Sequence, residues 1–130
     1  MNFELTDDQQ MIKDSVADFA QKNILPSRMI WDEAQIFPRE LFSEMGKIGL
    51  MGMLVPEEYG GAGLPLGAAA AILEQIHRQG CNGGACHAQM YTMGTLLRHG
   101  SEAQKQQILP GLASGALRVQ AFGVTEPTSG

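Results

Sequence analysis

Four side chains in one short stretch could ligate a metal: His77, Cys81, Cys86 and His87. Two imidazoles and two thiols suit zinc. The spacing H-x3-C-x4-C-H matches none of the common finger patterns, and adjacent Cys86 and His87 on a helix would point about 100° apart. The competing reading is two buried or partly buried thiols and two packing or surface histidines, and no metal site is assigned. Gly60-Gly61-Ala62-Gly63 is not a phosphate-binding loop, because no Lys-Ser/Thr follows it, and it does not match G-x-G-x-x-G after a strand. It reads as a structural turn. The acidic pairs Asp7-Asp8, Asp32-Glu33 and Glu57-Glu58 read as solvated carboxylates rather than acid/base pairs. Glu126, placed between a strand-like run and a proline, lies where backbone amides and a ligand could converge, but by position alone it is a solvated turn acid. Met45, Met51, Met53, Met90 and Met93 sit in apolar stretches, where methionine fills irregular core gaps and also lines pockets for flexible apolar ligands. There is no nucleophile-elbow motif and no Ser/His/Asp order.

The elements that must position these residues follow from periodicity and caps. Thr6 and Gln9 have capping-box spacing, Asp7 and Asp8 suit the first turn of a helix, and Ile12, Val16, Phe19 and Ala20 give it one apolar face. Pro26 ends that helix, because a residue before proline disfavours the helical region. A short segment from Arg28 to Ala34 carries the only tryptophan, Trp31. Pro38 opens a third helix with the stripe Leu41, Phe42, Met45 and Ile48, capped by Gly49 in a left-handed conformation. Leu50–Val55 is an apolar run that is either extended or an irregular core segment. Helix resumes from about Pro65 to Arg78. A fifth helix is expected from about Ala85 to Arg98, capped by Gly100, and a sixth is capped by Ser101 and stops near Pro110. Arg118–Val124 alternates and is β-branched, which predicts a strand. A lone strand leaves its backbone unpaired, so it pairs either with Leu50–Val55 or with partners outside this chain.

The 130 residues carry 9 Lys+Arg against 14 Asp+Glu, a net charge of −5, with 44% hydrophobic residues. That is enough for one domain with a core. The acidic balance argues against nucleic acid as a partner, and no apolar run is long enough for a membrane span. Two cysteines make no disulfide framework, and no signal peptide is evident. A cytoplasmic location is the expectation. The fold class is all-α, a helical bundle of about five or six helices with a short terminal β-strand.

Taken together, the residues resemble the acyl-CoA dehydrogenase family. The likeness runs through Phe3–Gln9, Ile24-Leu25-Pro26, Trp31-Asp32-Glu33, Phe37–Leu41 and Gly49–Gly52. It continues through Val55–Leu64, Gly100–Lys105, Leu109–Leu112 and Gly115, and closes on Phe122–Gly130. The pieces follow in the family's order over nearly the whole chain.

The resemblance implies FAD-dependent formation of an α,β double bond in an acyl-CoA thioester, with electrons passed to an electron-transfer flavoprotein. It implies that residues 1–115 form the N-terminal helical domain and that residues 116–130 begin a central β-domain. Phe122, Gly123, Val124 and Thr125 would lie on the flavin side. His87, Met90 and Tyr91 are the substrate-pocket candidates on the fifth helix. The resemblance gives the thiols no role. It places the catalytic glutamate beyond Gly130 and makes Glu126 part of the flavin-side motif, so no catalytic residue is expected in this chain. The parent is expected to be a homo-oligomer, and the isolated piece to bind FAD poorly. The competing reading is a non-catalytic helical module that binds a partner or itself.

Overall fold

The structure, a computed structural model, describes residues 4–121, 123 and 125–128. Helix α1 (Asp7–Phe19) starts at a reciprocal capping box: the Gln9 amide N–H donates to Thr6 Oγ1 (3.2 Å), and the Thr6 N–H donates to Gln9 Oε1 (3.1 Å). Its inward residues Val16 and Phe19 are buried. The helix stops before Pro26, but not because Leu25 leaves the helical region. Leu25 has φ −55° and ψ −41°. Residues Ala20–Ile24 instead widen into a π turn, in which the Leu25 N–H reaches back five residues to Ala20 O. Helix α2 (Arg28–Glu33) closes with a double turn, Ile36 N–H to Trp31 O and Gln35 N–H to Asp32 O. This is the geometry that usually carries glycine at its left-handed position. Here Gln35 occupies it at φ +54°.

Helix α3 (Arg39–Lys47) has Pro38 as its N-cap rather than its first residue, and Gly49 is left-handed beyond its end, as expected. The Leu50–Val55 run resolves as the irregular alternative. Its backbone partners are in the glycine loop: Gly63 N–H donates to Val55 O and Leu64 N–H to Met53 O. Leu50, Met51, Met53 and Val55 are buried. A short 3-10 turn (Glu57–Tyr59) leads into that loop. Helices α4 (Leu66–Arg78), α5 (Gly84–His99) and α6 (Glu102–Ala113) complete the all-α architecture.

Three details depart from the sequence reading. Gly100 ends α5 in an extended conformation (φ −69°, ψ 145°), because the chain must run straight into Ser101, which caps α6 through its own box with Gln104. Helix α6 does not stop at Pro110 but continues through it to Ala113. Proline removes one N–H yet leaves its own carbonyl free, and Ser114 N–H uses it. Residues 117–121 have no regular secondary structure, Glu126 occupies an isolated bridge, and Phe122 and Val124 of the expected strand lie outside the described residues. Among the described residues, 118–121 take no partner from Leu50–Val55, whose Gly52, Met53 and Val55 carbonyls accept from the loop.

Two apolar clusters form the core. The larger joins α1, α3 and α4 to the start of α5 through Val16, Phe19, Phe42, Met45, Ile72, Ile76 and Met90. The smaller consists of Val55, Tyr59, Met93, Leu109, Leu112 and Ala113. They meet where α3 touches the end of α6. A Cβ on Gly46 would overlap the Ser114 carbonyl, and one on Gly115 the Phe42 carbonyl.

Candidate functional site

The thiols and imidazoles do not assemble a site. Cys81 and Cys86 are free and buried. Burial pushes the Cys86 thiol up to about 11 and raises Cys81 as well, so both are kept as neutral thiols, poor ligands and poor nucleophiles. His77 and His87 are exposed. Among the described residues no group of three or more His, Cys, Asp or Glu could hold a metal ion.

The glycine stretch is structural. Gly61 lies so close to Val55 that a Cβ would overlap its carbonyl. Next to it, Tyr59 is buried, and its hydroxyl donates to Glu102 Oε2 at 2.7 Å, tying this loop to the first turn of α6. That bond drives the Tyr59 pKa up to about 12 and lowers that of Glu102, which also accepts from Lys105 at 2.9 Å.

Two larger hollows remain. One, of about 790 Å³, lies between α2, α3 and the α4–α5 turn, and Arg28, Phe37, Cys81 and Cys86 are among its lining residues. The other, of about 760 Å³, is walled by Tyr91, Thr92, Thr95, Leu96 and His99 of α5 and by Ile108 and Leu112 of α6. Val119 and Gly123 of the terminal segment complete it. Among the described residues, no carboxylate lines this second hollow. The Thr92 and Thr95 hydroxyls donate to Ala88 O and Tyr91 O at 3.0 Å each, so their protons are committed to the helix. The wall can hold an apolar chain or a flat ring, and His99 is its one imidazole among the described residues.

The predicted site residues separate. Tyr91 and Gly123 line the second hollow. His87 is exposed and meets the Tyr91 ring edge-on, centroids 5.3 Å apart. Met90, one residue from Tyr91, points the other way into the larger apolar cluster. Thr125 is exposed, and Phe122 and Val124 lie outside the described residues. Sequence reasoning missed Thr95 and His99. Their signal is the i, i+4, i+8 stripe begun by Tyr91, which marks one helix face.

The sequence profile of the acyl-CoA dehydrogenase N-terminal domain matches residues 6–116. The chain belongs to the acyl-CoA dehydrogenase family. An acyl-CoA dehydrogenase of Bacillus subtilis is 40% identical over 128 residues, covering 97% of this chain and 34% of that protein. The butyryl-CoA dehydrogenase of Megasphaera elsdenii superposes with a TM-score of 0.86 at 30% identity, over 100% of this chain and 35% of that one. A chain from the structure of the electron transferring flavoprotein of Acidaminococcus fermentans superposes with a TM-score of 0.88 at 38% identity, over 100% and 34%. This chain thus spans about a third of the length of the relatives it matches. The family's members are FAD-dependent flavoproteins. Gly123, one of the residues chosen as flavin-side by resemblance, is among those that line the second hollow. Space is open there around Gly123, where a Cβ would meet nothing within 4 Å. Those residues fit a planar ring. Among the described residues neither Arg nor Lys lines the hollow, so those residues bring no permanent cation for a diphosphate.

Proposed function

We propose that this chain is the N-terminal helical domain, residues 1–115, of an FAD-dependent dehydrogenase acting on acyl-CoA thioesters, with residues 116–130 beginning its central β-domain. The observation that carries the reading is the apolar hollow on which α5, α6 and the Gly123 segment converge. When bound, FAD supplies the hydride acceptor. The α5 and α6 wall takes the apolar acyl chain and excludes water. Gly123 leaves room for the flavin ring, the exposed Thr125 hydroxyl is available to donate toward it, and Phe122 and Val124 belong to the same stretch. Tyr91, flanked by His87, shapes the acyl end of the hollow, and Met90 backs α5 from the core. The family resemblance puts the base that removes the α-proton beyond Gly130, and among the described residues no carboxylate lines the hollow. Electrons leave to an electron-transfer flavoprotein, and the working enzyme is a cytoplasmic homo-oligomer.

The test uses the natural protein that carries this domain. Flavin is expected to copurify, and its oxidised absorbance to bleach on adding saturated acyl-CoA. Tyr91→Ala is expected to raise KM for the acyl-CoA more than it lowers kcat, because it removes wall rather than a reacting group. A protein without flavin whose spectrum ignores acyl-CoA would overturn the reading. A partner-binding module is the second reading, favoured by exposed Met29, Ile30, Ile36 and Phe37 on and after α2. It predicts a flavin-free protein whose association is lost when Ile30 and Ile36 become polar.

A further inference from the structure

The segment that carries Gly123 is not free. It runs from the end of α6 back along α5, and two glutamines cross between them in opposite directions. Gln89 of α5, fully buried, donates from Nε2 to Leu112 O at the end of α6 and to Leu117 O in the segment, each at 3.4 Å. Gln120 of the segment donates from Nε2 to Ala85 O in the first turn of α5 at 3.0 Å. Ala85 and Gln89 are four apart, one turn along the same helix face. Leu117 is thus tied beside Gln89, and Gln120 one turn earlier on α5, so the segment is antiparallel to the helix.

Between these ties the flanks are held by other means. The Arg118 guanidinium stacks 4.6 Å from the Phe37 ring centroid and 5.8 Å from that of Phe42. Val119 packs against the smaller apolar cluster. The Leu117 N–H donates to Gly111 O at 2.9 Å. The Leu117 carbonyl thus takes a side-chain donor, Gln89 Nε2, in place of a neighbouring strand. The amide at position 89 is costly where it sits, because its Oε1 is buried without a hydrogen-bond partner. What it secures is a bond to both ends of the turn leaving α6.

We propose that Gln89 and Gln120 form a two-way clamp that fixes the path of residues 117–121, making both of them positioning residues for Gly123, which lines the hollow. The clamp itself rests only on this chain; its effect on a flavin rests on the reading proposed above. Gln120 is the better probe, since it is only partly buried and its loss leaves the core intact.

The experiment compares the natural protein with its Gln120→Met and Gln120→Asn variants by peptide-level hydrogen exchange and by flavin titration with visible spectra. Gln120→Met keeps the side chain's length and removes the donor. Exchange across 117–125 is expected to speed up several-fold, with α1 unchanged. Flavin affinity is expected to fall by about 2- to 10-fold, the worth of one hydrogen bond, with a shift of the flavin band. Gln120→Asn, which retains a donor on a shorter arm, recovers part of both. Unchanged exchange in Gln120→Met overturns the clamp whatever the flavin does. Faster exchange with wild-type affinity and spectrum overturns the positioning role. A flavin-free parent overturns the dehydrogenase reading and the positioning role together, while faster exchange in the same sample still supports the clamp.

Discussion

The two halves of this domain are held by different physics. The larger cluster, around α1, α3 and α4, is almost wholly apolar: Val16, Phe42, Met45 and Ile72 are each at most 4% exposed. The smaller cluster, under α5 and α6, is threaded with polar ties. Tyr59 reaches Glu102, Gln89 reaches Leu112 and Leu117, and Gln120 reaches Ala85. Apolar burial is strong but non-directional. Hydrogen bonds contribute less and specify geometry. The half that needs only to be stable uses the first, and the half that must aim the Gly123 segment uses the second.

Core truncation is expected to give the largest effect and to locate the boundary between the halves. Ile72→Ala and Leu109→Ala each remove a fully buried side chain and should cost about 2–5 kcal/mol by denaturant unfolding. Hydrogen exchange should then rise in α1 for the first and in α6 and the Val55–Gly61 loop for the second. Equal acceleration everywhere in both variants would mean that the halves are one cooperative unit. The joint between them comes next. Gly46→Ala places a methyl on the Ser114 carbonyl and should cost about 1–3 kcal/mol as α3 and α6 are pushed apart. No loss of stability would show that the contact is slack.

Gln35→Gly should act in the other direction and only in the α2 region. Relieving a left-handed glutamine is worth about 1 kcal/mol after the added freedom of the unfolded glycine, read as a raised denaturation midpoint. A lowered midpoint would mean the glutamine side chain makes a contact worth more than the backbone strain.

The smallest effect is confined to the polar half and is read from pH. Glu102 is depressed below its ordinary 4.5, chiefly by the Tyr59 hydrogen bond. Its contribution is therefore present above that value and lost as pH falls through the lower folded value. Tyr59 is raised from 10.0 to about 12, so its contribution is full below 10.0 and lost as pH rises toward 12. Thermal melts of Tyr59→Phe against wild type should show the alkaline limb abolished and the acid limb reduced, since Lys105 still pairs with Glu102. Superimposable profiles would sink the assignment.

Much of the helical scaffold was legible because its signals are local. Thr6 with Gln9 and Ser101 with Gln104 are capping boxes whose four partners lie within one turn, so their spacing alone predicts the bonds found. Gly49 announced the end of α3 in the same way. The errors sit where a non-local demand overrode a local rule. Pro110 was read as a stop, yet α6 continues because Leu109, Leu112 and Ala113 are wanted in the core. Of the two partners left open for Arg118–Val124, Leu50–Val55 was already engaged by residues 62–64, so only the pairing within this chain is set aside, and Phe122 and Val124 lie outside the described residues.

The candidate site was legible only in part. Tyr91 and Gly123 were chosen by resemblance and do line the hollow. Met90 and Tyr91 are adjacent in sequence and could not be separated until α5 was packed, one facing the core and the other the hollow. By itself the sequence determined most of the helices, the two capping boxes and the family, because these depend on residues a few positions apart or on the order of motifs. Only the tertiary structure decided which face of α5 is buried, that Tyr59 meets Glu102, and that Gln89 and Gln120 cross between α5 and the departing chain. Those contacts join residues 23 to 43 positions apart, and no local pattern encodes a distance closed only by packing.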